Sequence, residues 1–151
     1  MCGDRVGACL RMALPLALVG GIGCTPSQVV VQAQLDPSHE NLMRIGSAYS
    51  RFNTKYRKAP ANVADLLPFL KEFGNPEQLL RSPKDGEPYI ICWRVDLQVP
   101  QPWVQSTGVL AYEKHGAAGK HYVLTTMRSV VLMTDEELRQ ASFPPGHRPP
   151  P

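Results

Sequence analysis

The stretch "GVLAYEKHGAAGKHYVLTTMRSVVLMT", Gly108 to Thr134, decides the fold. "GVLAYEKHG" and "KHYVLTTM" are rich in β-branched and aromatic residues and are joined by "GAAG", so they predict two strands and a glycine-containing hairpin loop. A turn near Arg128 leads to a third strand, "SVVLMT". Thr134 then stands three residues before Glu137, the spacing of a capping box, with Asp135 and Glu136 also favourable at the positive end of a helix. The stretch therefore predicts an antiparallel meander closed by a short C-terminal helix.

Upstream, "LRSPKDGEPYIICWRVDL" puts turn chemistry, Pro83-Lys84-Asp85-Gly86, before an apolar run that predicts one more strand. Further back the period changes. Leu42, Ile45, Tyr49, Phe52 and Tyr56 recur at steps of three and four, and Asp36 and Pro37 supply a cap and a first helical residue. This predicts a long helix from Pro37 to about Arg57, with Arg44, Arg51, Lys55 and Arg57 mostly on its solvated face. Val63, Leu66, Leu67, Leu70 and Phe73 predict a second short helix, strained near Pro68 and stopped by Gly74, and "PEQLL" adds one further turn. The class is α+β: a long N-terminal helix packed on a small antiparallel β-meander, with a short C-terminal helix. The expected core sets Leu42, Ile45, Tyr49 and Phe52 against Tyr89, Ile91, Val109, Tyr112, Val123 and Val131.

Composition narrows the function classes. The 151 residues are 43% hydrophobic and 19% charged, which suits one globular domain, and a net charge of +3 is too small to argue for nucleic acid. Arg5 and Arg11 precede the apolar run "MALPLALVGGIG", Met12 to Gly23, which is too short to span a bilayer and suits a secretory signal. "GGIGC", Gly21 to Cys24, resembles a bacterial lipoprotein lipobox, although Gly21 stands where that family usually has Leu. The resemblance implies a diacylglycerol on the Cys24 thiol, a location in the cell envelope facing the periplasm or exterior, and membrane attachment through that lipid. The expected organisation is a signal peptide over 1–23, a tether over 24–36, an α+β domain over 37–141 and a disordered proline-rich tail over 142–151 that includes "PPGHRPPP". With Cys2 and Cys9 removed and Cys24 acylated, Cys92 is left without a disulfide partner and is expected to be a buried, inert thiol.

Three further motifs resemble a second family. "AYSRFNTKYRKAPANVADLLPFL", "SPKDGEPYIICW" and the Gly108–Leu138 meander resemble the helix end, the "DPWGNPYxY" turn-and-strand and the strand–turn–strand ending of type IV pilin-like proteins. The chain resembles in particular the major pseudopilin of type II secretion, with the ending as in pilin-like proteins of planctomycete-type bacteria. The resemblance implies a pilin-like fold, a role beside secretion or pilus machinery and an envelope protein partner. It departs from the family in three places. Ala59 replaces a Tyr before Pro60, "MRSV" at Met127–Val130 replaces "DGSV", and "CTPSQVVVQAQLDPSHE" stands where a pilin has its apolar assembly helix. No calcium site carries over, and a monomer is expected.

Reactive side chains give little chemistry. His115, His121 and Glu113 could share a face of the hairpin, but zinc needs three or four ligands, and exposed loop histidines are the expectation. Asp85 and Glu87 flank a turn glycine and are expected to be solvated. No GxSxG, HExxH or phosphate-binding glycine loop occurs. No catalytic residue, metal or cofactor is assigned. Two classes remain: a non-enzymatic structural or partner-binding envelope lipoprotein, or a small envelope hydrolase or periplasmic ligand-binding protein. Trp103 is the aromatic that either caps the core or is exposed for a partner.

Overall fold

The computed structural model describes residues 36–105 and 107–148. Cys24 and the signal and tether segments expected before Asp36 lie outside the described residues. The order is α1 (Pro37–Tyr56), α2 (Val63–Leu70), α3 (Pro76–Leu79), β1 (Ile90–Ile91), β2 (Val109–Tyr112), β3 (Lys120–Thr125), β4 (Val130–Thr134) and α4 (Asp135–Gln140). The strands form one antiparallel sheet in the order β1-β2-β3-β4, so the class is α+β. Among the described residues no helix is long and apolar enough to cross a membrane.

Local chemistry sets the helix ends. The Asp36 side chain accepts from Ser38 N at 2.9 Å, and Pro37 loses no helical bond by lacking an N–H. Asn62 and Asn75 cap α2 and α3 in the same way. α2 tolerates Pro68 but ends two residues later, and Gly74 leaves with φ +141. Thr134 and Glu137 form the expected capping box on α4.

Leu42, Ile45, Tyr49 and Phe52 are buried on one face of α1 and join Leu66, Leu70, Tyr89, Ile91, Leu110 and Leu124 in the main core. Gly46 lets α1 approach β3 closely, since a Cβ there would press on the Leu124 side chain at 3.0 Å.

The structure corrects four expectations. Val109, Tyr112 and Val123 do not face α1. They form a second cluster with Met133 and Leu138, on which Val131 and Phe143 also pack. Both faces of β2 are thus covered, and all four of its residues are buried, so no polar alternation marked the phase. An irregularity in the β2–β3 register between Val109 and Ala111 also places Leu110 and Ala111 together on the main core. Second, the strand expected after Pro88 pairs for only two residues. Cys92 N still donates to Leu110 O at 2.7 Å, but Arg94 turns to φ +62 and donates to Pro60 O, and Val95 N donates to the Tyr49 hydroxyl. Third, Tyr56 and Val63 leave the expected apolar stripes and are exposed. Finally, the chain does not leave the body after Ala141. Ser142 O accepts from Val109 N at 2.9 Å, Phe143 meets Tyr112 edge-on at 5.8 Å, and Pro144 is buried.

Candidate functional site

The turn from Ser82 to Glu87 closes on itself. Ser82 N donates to Glu87 O and Gly86 N to Ser82 O, both at 2.8 Å, and Gly86 takes φ +74. Asp85 accepts from Glu87 N at 3.0 Å, and Glu87 pairs with Lys114 at 3.1 Å, so these two carboxylates are exposed or half-buried turn groups serving local bonds.

This turn aims Ser82 and Lys84 at Glu113, which directly follows β2 and is fully buried. One carboxylate oxygen accepts from Tyr122 N at 2.9 Å. The other accepts from the Ser82 hydroxyl at 3.4 Å and lies 3.6 Å from Lys84 Nζ. Lys84 Nζ also lies 3.6 Å from Asp36 and 4.5 Å above the Tyr122 ring. One ammonium therefore ties together the α1 cap, the turn and the sheet. Tyr89 lies in the same region. Burial raises its hydroxyl to about 12, the neighbouring Glu113 and Asp36 charges add to the rise, and contacts from Ser38 and Asn41 oppose it. The Tyr89 and Ser38 hydroxyls are both buried, and neither makes a hydrogen bond of normal geometry. Glu113 is closed to solvent and Ser82 is 2% exposed, whereas Lys84 reaches the surface.

The two candidate histidines separate. His115 is exposed, whereas His121 is buried at 4%, which corrects the expectation of an exposed loop residue. The hairpin is tighter than expected: Ala117 and Lys120 exchange both main-chain bonds, and Gly116 carries no Cβ where one would overlap the Lys120 carbonyl. His121 Nδ1 lies 3.0 Å from Glu113 O and Nε2 lies 2.6 Å from Asp135 Oδ1. Among the described residues no group of three or more His, Cys, Asp or Glu is placed to hold a metal ion.

Cys92 is fully buried, and burial pushes its thiol up to about 12, so it carries negligible thiolate near neutrality. Trp93 and Trp103 are half-buried against the main core. Trp93 stacks on Tyr49 at 6.5 Å and Trp103 donates its indole N–H to Gln101 at 3.1 Å.

Sequence reasoning missed Ser82 and Lys84; it set Glu113 near the histidines, and the Glu113 main-chain carbonyl does meet His121. Glu113 lies two residues beyond inward-facing Ala111, but no local signal marks that face, because every residue of β2 is buried. No protein-family model, no curated protein and no solved structure matches the chain.

Proposed function

We propose that the chain is a lipid-anchored protein of the cell envelope. Its pilin-like body has a non-enzymatic, structural or partner-binding role beside secretion or pilus machinery. The observation that carries this reading is the short apolar run ending in "GGIGC" ahead of a body that opens at the Asp36 cap. A tether from Cys24 to Asp36 reaches up to about 40 Å when extended, enough to lift the body clear of a membrane surface. The pilin-like reading is supported by the element order, in which a 20-residue helix and a Pro-rich turn precede a four-stranded antiparallel sheet. The partner-binding reading is supported by the use made of reactive groups: Glu113, Lys84, His121 and Cys92 all hold the fold together or lie within it.

Fractionation of cells expressing the wild type and Cys24→Ser tests the anchor. The wild type is expected in the membrane pellet and the variant in the soluble fraction. Equal distribution of the two would remove the lipid from the account.

A further inference from the structure

His121 sits on β3 between the hairpin and the start of α4, and both of its ring nitrogens face acceptors. Glu113 O is a main-chain carbonyl and Asp135 Oδ1 belongs to a carboxylate. A neutral imidazole has one N–H, so one of these two short contacts would set lone pair against lone pair. An imidazolium donates to both. We infer that His121 is a proton-operated clasp that fastens α4 to the β2–β3 hairpin.

The surrounding charges leave Asp135 as the partner in direct contact. From the hairpin, Lys114 and His115 line the same cleft, and from α4 so does Arg139. Lys114 is engaged by Glu87 at 3.1 Å and Arg139 by Glu136 at 2.9 Å. Glu137 is held by Thr134, and the Glu113 carboxylate bonds Tyr122 N and faces Lys84. Lys120, next to His121 on β3, is exposed.

The clasp joins the second core cluster to the hairpin through α4. Leu138 of α4 is fully buried against Val109, Tyr112, Val123 and Met133. When the proton leaves, α4 keeps its capping box and the bond from Asp135 N to Gly119 O at 3.2 Å, but loses the side-chain fastening. The side-chain fastening is therefore expected to be stronger in acid, where an imidazolium donates to both acceptors, than in alkali, where a neutral ring donates to only one. Asp135 is 56% exposed, so water screens the pair and the effect is local to α4 rather than a global collapse.

Amide hydrogen exchange on the full chain in detergent, corrected for intrinsic rates, reads this at about pH 5.5 and about pH 8. In the wild type, protection at Leu138 is expected to fall roughly threefold between the two, the size of a solvent-screened pair. In Asp135→Asn and in His121→Asn the fall is expected to vanish. Should His121→Asn fail to fold, Asp135→Asn decides the matter alone, because its side chain is exposed and its helix start is retained. Wild type and Asp135→Asn showing the same pH response would overturn the clasp, as would a wild type with none.

Discussion

A carboxylate taken out of water costs several kcal/mol unless charge and hydrogen bonds compensate. Glu113 meets that requirement with Tyr122 N, the Ser82 hydroxyl and Lys84. Removing it leaves Lys84 between one carboxylate and an aromatic face, and frees the part-buried Tyr122 N–H. Glu113→Ala should lower stability by about 3 kcal/mol in urea unfolding, while Glu113→Gln, which keeps an acceptor for Tyr122 N, should cost less than half of that. Near-equal losses would mean that the charge contributes and the hydrogen bonds do not. Burial at this scale also predicts alkaline behaviour. Cys92 and Tyr89 are each pushed up to about 12 from 9.0 and 10.0, so the folded state holds protons that the unfolded chain releases. Their contribution is intact below pH 9.0 and is lost as pH rises from there towards about 12, by up to about 1.4 kcal/mol per unit for each group. A thermal melt series should show this decline, and Cys92→Ala should flatten it between the unperturbed thiol value and that of tyrosine. Of these residues, Cys92 was legible from its apolar neighbours. The burial of Glu113 and His121 was not, because their partners come from a turn and a helix distant in sequence.

At the scale of elements, caps and turns were legible and faces were not. Asp36, Thr134 and Glu137 act within three residues of themselves, which is why composition and spacing reveal them. The phase of β2 and β3 depends on what covers the far face, and that cover comes from α4 and Phe143. The length of β1 depends likewise on Pro60 and Tyr49 drawing the chain away at Arg94 and Val95. Two expectations follow. Ala118 (φ +53) and Gly119 (φ +70) are the central pair of a two-residue hairpin turn in which both dihedrals are positive. Asn tolerates that conformation better than Ala, so Ala118→Asn should stabilise the protein by about 0.5–1 kcal/mol, measured as a rise in the unfolding midpoint. Ile45, fully buried between α1 and the sheet, gives the opposite sign. Ile45→Asp buries an unpaired charge and should cost several kcal/mol; a variant melting within a few degrees of wild type would place the helix stripe elsewhere.

At the scale of the whole molecule, the lipid proposed on Cys24 would tie the folded α+β body to a membrane. The two parts differ in legibility. The body was read from periodicity and turn chemistry, and its C-terminal limit was set too early because Ser142, Phe143 and Pro144 carry no periodic signal of their own. The anchor rests on local sequence around Cys24, and the proposed role depends on it. With residues 1–24 removed, the remaining chain should sediment as a monomer at micromolar concentration, because the apolar stripe of α1 is spent on the core rather than on a neighbour. Filaments or large regular oligomers would restore a pilin-like assembly. The most direct measurement is the intact mass of the mature protein recovered from membranes, with tandem fragmentation of its first residues. A mature chain beginning at Cys24 and carrying a diacylglyceryl thioether is the predicted result; a chain that begins elsewhere, or carries Cys24 unmodified, would contradict it.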